Sequence, residues 1–164
     1  MIDTRKTDRR TLAYGSFDEL AADLDRIASA HERGALRTTG NWTAGEVCDH
    51  CANFMRCALD GFPGGVPWYL RIAGVLLKPA MLRGTSQPAG MKIPKSAVHL
   101  RPREGVSVEE GHGALRREVE RVRGGAERME HPSPLLGRMT HEQWVTLQLS
   151  HCALHLSFLH VDDA

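Results

Sequence analysis

Four segments of the sequence each begin with a residue that can cap a helix and continue with apolar residues at helical spacing. Ser16 and Ser107 precede two of these segments, and Thr43 and Thr140 precede the other two. The two threonines are followed three residues later by Glu or Gln, which is the capping-box pattern. Because a capped amphipathic segment folds as a helix that buries one face, the sequence predicts four long helices.

The segments between these helices carry little regular patterning. Gly34 and Asp60 mark the predicted ends of the first two helices, and a short apolar segment at 68–82 predicts an additional helix. Residues 84–105 are rich in proline and glycine and predict a long irregular connection. No stretch alternates as a half-buried strand would. We therefore predict an all-α fold, a four-helix bundle with a long irregular insert that carries a short helix between helices two and three.

Length and charge narrow the class of protein. The 164 residues have the size of one domain, predicted as 1–164, and the formal net charge of +1 lacks the basic character of a nucleic-acid binder. Residues 1–10 are polar and lack the apolar core of a secretory signal. The apolar stretch 67–82 contains Arg71 and Lys78 and is shorter than the roughly 20 residues of a membrane span. We expect a cytoplasmic protein without nucleic acid or membrane as partner.

Three histidines are the strongest candidates for a functional site. His151 and His155 lie four residues apart in the apolar run 144–160, which contains no glycine or proline, so one helix face would carry both rings. Trp144 and Phe158 share that face. Burying imidazoles without partners costs free energy, so an inward pair implies hydrogen bonds or a cation. His50, in the middle of the second helix, predicts a third ligand.

Three neutral imidazoles suit zinc, nickel or another first-row divalent ion. A site with three protein ligands keeps an open position, which is typical of catalytic rather than structural zinc. Three alternatives stay open at this point. The protein could be an enzyme, a non-catalytic metal-binding module, or a structural bundle whose triad holds no ion.

Other polar residues near these histidines have competing interpretations. Glu46, one turn before His50, could be a further ligand, a group that orients a ligand or a general base, although a cap with Thr43 explains it more simply. Cys48 and Cys51 form a C-x-x-C pair that could suggest a zinc finger or a redox site. The spacing to the histidines at 151–155 is too long for a finger, so all four cysteines are predicted as core thiols.

The remaining histidines occur at predicted helix ends or in loops. We expect them to be exposed, with a structural role in the turn before the last helix for one of them, His131. The others are His31, His99, His112, His141 and His160.

Three stretches of the sequence together resemble the DinB-like superfamily, which comprises metal-dependent four-helix bundles. They are Trp42-Thr-Ala-Gly-Glu-Val-Cys-Asp-His50, Asp60-Gly-Phe-Pro63 with the insert after it, and 131–144 leading into His151-Cys-Ala-Leu-His155. The resemblance implies that a divalent metal binds the histidine of the second helix and the two of the fourth. The matching positions are His50, His151 and His155.

The same resemblance implies an activity. Characterised DinB-like proteins include transferases and isomerases that use a low-molecular-weight thiol as cofactor. The expectation is therefore a metal-dependent thiol transferase or hydrolase that acts on a small molecule, with residues 61–105 forming part of the pocket rim. Within the superfamily the resemblance is to an uncharacterised branch, from whose pattern the chain departs at Cys51 and Leu154, and neither departure removes a ligand. The apolar face of the additional helix leaves both a monomer and a homodimer open.

Overall fold

The computed structural model describes residues 2–83, 90 and 95–161, and that part of the chain is mostly helical. The α-helices are α1 (Phe17–Glu32), α2 (Ala44–Asp60), α3 (Trp68–Met81), α4 (Val108–Val122) and α5 (His141–Leu156). Two short 3₁₀ helices are η1 (Lys95–Leu100) and η2 (Arg123–Gly125), and two three-residue strands are β1 (Leu36–Thr38) and β2 (Leu159–Val161).

The four predicted caps are confirmed. Each capping hydroxyl accepts a hydrogen bond from the backbone N–H three residues later, which satisfies one of the donors left open at a helix start. At Thr43 and Thr140 the bond is reciprocal, because the side chains of Glu46 and Gln143 accept from the cap's own N–H. These caps explain why the helix starts could be placed from the sequence to within one residue.

The four long helices enclose one hydrophobic core. α2 packs against α4 and α5, and α1 packs against α4 and α5 from the other side. Burial of large apolar side chains from all four helices stabilises this arrangement by about 25 cal/mol for each Å² removed from water. Fully buried members include Leu20, Leu24, Ile27, Met55, Leu115, Trp144, Leu147 and Leu156.

α2 and α4 approach each other closely through two glycines. A Cβ atom placed on Gly45 would lie 2.3 Å from the carbonyl oxygen of Val106, and one on Gly111 would lie 2.1 Å from the carbonyl oxygen of Gly45. Both distances are far below van der Waals contact, so any side chain would push the backbones apart. The contact fixes the start of α2, the helix that carries His50, against α4.

The prediction that the chain has no strand was wrong. β1 and β2 pair antiparallel, with Arg37 opposite His160, and the last helix ends at Leu156 rather than continuing to residue 160. The Arg10 backbone N–H and guanidinium donate to the carbonyls of Ser157 and Leu156, and the chain then turns to pair with β1. A three-residue strand is too short to show an alternating pattern, which is why the sequence missed it.

The insert is only partly irregular. Residues 95–100 form η1, whereas the predicted irregular residues 84–89 and 91–94 lie outside the described part of the chain. The short helix predicted at 68–82 is confirmed as α3. Within the described residues, no helix combines the length and apolar character that a bilayer crossing needs.

Candidate metal centre

His50 lies at the middle of α2, two turns after the Thr43 cap. Glu46, one turn closer to the cap, is used at the helix start. Its carboxylate accepts hydrogen bonds from the backbone N–H groups of Thr43, at 2.9 Å, and Gly105, at 3.2 Å. The simpler interpretation of Glu46, as the cap of α2, is therefore confirmed. Glu46 is not among the side chains grouped around His50 as possible metal ligands.

His151 and His155 lie one turn apart on α5, on the side that faces α2. Their ring centroids are 4.5 Å apart, and His50 lies 5.0 Å from the ring of His151 and 4.5 Å from that of His155. The three rings, which we call the His triad, thus meet as the sequence predicted. One nitrogen from each ring lies within 4.8 Å of the others.

That spacing is close to what one ion requires. A tetrahedral zinc with bonds of about 2.0–2.1 Å holds its nitrogen ligands roughly 3.4 Å apart. Small rotations of the three imidazoles would bring nitrogens that lie within 4.8 Å to that separation. Within the described residues, the His triad is the one group of His, Cys, Asp and Glu side chains close enough to hold a metal.

A backbone group from the insert orients the His50 ring. The Nδ1 atom of His50 lies 2.6 Å from the carbonyl oxygen of Leu100, at the end of η1. Because a carbonyl can only accept, Nδ1 carries the proton and donates, which leaves the lone pair on Nε2. Metal-binding histidines are commonly fixed in this way, with one ring nitrogen held by an acceptor and the other on the metal.

The segment that carries Leu100 is itself anchored to α2. The carboxylate of Asp49 is buried and accepts from the Arg103 backbone N–H at 2.9 Å and from its guanidinium at 2.9 and 3.0 Å. Asn53 donates a further hydrogen bond to the same carboxylate. Asp49, the residue next to His50 in the sequence, therefore holds in place the segment whose Leu100 carbonyl accepts the hydrogen bond from His50.

One nitrogen of the site has no partner. The Nε2 atom of His151 is buried and makes no hydrogen bond. A buried polar atom without a partner costs about 1–3 kcal/mol, so such atoms are rare in folded proteins. A cation bound by this nitrogen together with the other two rings would remove that cost.

Burial also keeps the three rings neutral. Desolvation lowers the pKa of His151 and of His155 well below the usual histidine range, and the charges that neighbouring triad rings would carry lower both further. Burial likewise lowers the pKa of His50, although the Leu100 carbonyl and Asp49 oppose it. Neutral imidazole is the form that binds metal, so the site is set for a cation at neutral pH.

Aromatic side chains enclose the His triad. Trp42 lies over the ring of His155, with centroids 5.7 Å apart and planes 22° apart, and 4.9 Å from the ring of His50. Phe54, one turn after His50, lies 4.4 Å from the ring of His151. Phe62, from the insert, contacts Phe54 in turn, at 6.2 Å. The triad therefore has an apolar wall on two sides.

Part of this apolar wall was not predicted from the sequence. Trp42 lies immediately before Thr43, the cap of α2. This position was the sequence signal that could have placed its ring near His50. No local signal indicated the Leu100 carbonyl, because a backbone acceptor can come from any residue. Trp144 is buried in the core as expected, but Phe158 is not on the α5 face with the histidines. It follows the end of α5, and the Arg9 guanidinium lies 5.5 Å from its ring.

Three of the four cysteines belong to the core, as predicted, whereas the prediction of a core thiol was wrong for Cys57. Cys48, Cys51 and Cys152 are buried and none is in a disulfide, while Cys57 is half-buried. Burial raises the pKa of Cys48 to about 12, and a hydrogen bond with Cys152 together with burial raises that of Cys51 well above the usual range. These thiols stay protonated at neutral pH, as expected of structural thiols.

The other histidines are less exposed than predicted. His131 is exposed, and its carbonyl accepts the Trp144 indole N–H at 3.0 Å, which confirms its role in the turn before α5. The exposure predicted for the rest was wrong, because each is half-buried and contacts another part of the chain. His112, for example, donates to the carbonyl of Leu24, and His141 accepts from the backbone of Met129. The remaining three are His31, His99 and His160.

Comparison with known proteins gives one result. The sequence pattern of the family described as "Protein of unknown function (DUF1569)" matches residues 6–162. No curated protein and no solved structure matches the chain.

Proposed function

Because the chain belongs to the DUF1569 family, whose description assigns no activity, we propose its function from the site: it binds a divalent metal through His50, His151 and His155. The observation that carries this proposal is the buried Nε2 of His151, which has no partner although it lies among two further neutral imidazoles. Three nitrogen ligands favour zinc or nickel.

We also propose that the fold is a DinB-like four-helix bundle. The support is that α1, α2, α4 and α5 enclose one core and that the His triad joins the second and the last of these helices. Reduced thiols buried in the core are typical of proteins from a reducing compartment and support a cytoplasmic location.

We propose that the site is catalytic, as a metal-dependent thiol transferase or hydrolase for a small molecule. A divalent ion held by His50, His151 and His155 would supply a Lewis acid able to lower the pKa of a bound water or thiol. The chain's own residues position and shield this site. Leu100 orients His50, while the Trp42 and Phe54 rings keep bulk water from two sides and offer apolar contact to a ligand.

A second candidate is a metal-binding protein without turnover. The observation in its favour is that the ligands come from two helices that pack together, α2 and α5. An ion between them would join the helices, and its binding free energy would add to the free energy of folding.

Metal content tests the first proposal directly. We expect the purified chain, or the chain loaded with zinc or nickel, to carry about one divalent ion by elemental analysis. His155→Ala is expected to lose it, whereas the matched control His31→Ala, which removes a half-buried imidazole paired with Glu109 far from the triad, is expected to retain it. A wild-type chain that takes up neither metal would contradict the proposal.

Metal removal then separates the two candidates. If a chelator leaves the melting temperature within a few degrees but abolishes binding of a small thiol such as glutathione or cysteine, the catalytic proposal is supported. A large drop in melting temperature without any thiol binding before removal would favour the structural ion instead.

A further inference from the structure

The outer face of α3 is apolar and uncharged, the reverse of an ordinary surface helix. At about 100° per residue, eight residues share the outer arc of about 160°, opposite Gly74, and all eight are exposed. The two cations of the helix, Arg71 and Lys78, lie on the inner flank instead. The outer face, which we call the α3 face, consists of Trp68, Tyr69, Ile72, Ala73, Val75, Leu76, Pro79 and Ala80.

Two contacts attach the inner side of α3 to the segment before α5. Gly74 lies against the segment before α5, where a Cβ atom would be 2.3 Å from the carbonyl oxygen of Leu135. The Lys78 ammonium donates to the carbonyl of Arg138. Because both contacts lie on the side of Gly74, the opposite, outer face of α3 is left uncovered.

The size of the α3 face approaches what each partner of a stable dimer buries. Trp68 is 74% exposed and Leu76 is 76% exposed, and the three other large side chains of the face, Tyr69, Ile72 and Val75, are about half exposed. Taking roughly 150–250 Å² for a large side chain, these five side chains present about 450–750 Å². That reaches the upper end of the largest apolar patch on a typical monomer, about 300–600 Å², and approaches the roughly 800 Å² that each partner buries in a standard interface.

We propose that the α3 face is a homodimer interface, in which α3 of one chain packs against α3 of a second copy about a two-fold axis. A two-fold interface requires a surface that complements itself, and an uncharged apolar face meets its copy without burying like charges. This interface is independent of the His triad, so the two proposals can fail separately.

A membrane surface is the competing occupant, and the charges argue against it. Helices that lie in the membrane interface are typically rich in Lys and Arg on their polar face. In α3 that face carries only Arg71 and Lys78, and Lys78 is engaged with the Arg138 carbonyl. The basic residues that would hold such a helix on anionic lipid are therefore few.

The test compares two isoleucines with nearly equal exposure. Ile72 lies on the α3 face and is 54% exposed, whereas Ile2 is 52% exposed and lies at the N-terminus. The mass of the full wild-type chain is measured by light scattering after gel filtration at roughly 100 µM, a concentration at which an interface of this size associates. We expect a mass twice that of the 18.1 kDa chain. Ile72→Glu is expected to weaken the dimer at least about a hundredfold and to elute as a monomer, because two buried carboxylates would meet. Ile2→Glu is expected to stay dimeric.

Leu76→Gln provides an independent variant that introduces no charge, and circular dichroism checks that every variant keeps its helix content. A monomeric wild type at this concentration, or a folded Ile72→Glu or Leu76→Gln variant that remains dimeric, would overturn the proposal. So would a monomeric wild type that sediments with phosphatidylcholine–phosphatidylserine vesicles and loses this binding in Ile72→Glu, since the face would then be a membrane surface.

Discussion

Replacing Gly111 with alanine tests the close contact that fixes α2 against α4. The new Cβ atom would lie 2.1 Å from the carbonyl oxygen of Gly45, so the two helices must separate by roughly 1 Å to reach ordinary contact. Backbone atoms cannot rotate away, which places the overpacking cost near the upper end of the usual range, about 3 kcal/mol. The better helix propensity of alanine returns about 1 kcal/mol. The net loss in unfolding free energy is therefore about 2 kcal/mol.

Thermal and urea denaturation followed by circular dichroism measure this loss. For a chain of this length, about 2 kcal/mol lowers the melting temperature by roughly 4–8 °C. Gly113→Ala is the matched control, because it changes the same helix where the nearest atom to a new Cβ is the flexible guanidinium of Arg117 at 3.6 Å. This control should be unchanged or more stable by about 0.5–1 kcal/mol. A Gly111→Ala chain as stable as its Gly113→Ala counterpart would refute the described packing of α2 on α4.

Three further predictions concern the site and the core. The metal-free chain is expected to lose stability as pH falls below the usual histidine pKa of about 6.5, because the unfolded chain then binds protons that the rings of the His triad, whose pKa values are lowered in the folded chain, do not. The free energy of unfolding should fall by at most about 1.4 kcal/mol per pH unit for each ring, and urea denaturation at several pH values should show a shallower fall for His155→Ala. Arg103→Ala should lower the melting temperature, since buried Asp49 keeps only part of its hydrogen bonds, and should weaken metal binding about tenfold in a competition titration. Arg101→Ala, at an exposed neighbouring position, should do neither. A thiol reagent should modify half-buried Cys57 in the native chain, slowly because burial raises the pKa of its thiol, and should reach the other three cysteines only in denaturant. Modification of all four at the same rate in the native chain would contradict their burial.

The helix starts and the ligand positions could be predicted because their signals are local. A hydroxyl at the cap with Glu or Gln three residues later acts within one turn, as at Thr43, and a spacing of four residues places His151 and His155 on one face whatever the rest of the chain does. His50 met them because it lies in the middle of a helix that packs on α5.

The features that escaped prediction depend on distant parts of the chain. β2 exists because β1 lies beside it, about 120 residues earlier in the sequence, and the end of α5 depends on carbonyls that Arg10 binds. The half-buried histidines also have partners far away in sequence, such as Leu24 for His112. A pattern along the sequence shows which residues can form such contacts. It does not show which distant residues the fold brings beside them as partners.

The hydrogen bond between His50 and the carbonyl of Leu100 has a consequence for mutagenesis. Every residue type at position 100 supplies the same oxygen, so alanine scanning of η1 would leave the ring orientation intact and would suggest that the segment is dispensable. Shortening the chain between Leu100 and Arg103 by one residue would instead pull the oxygen away while all three ligands remain. At this position the metal centre depends on the path of the main chain. A deletion, rather than a substitution, is therefore the experiment that reveals this dependence.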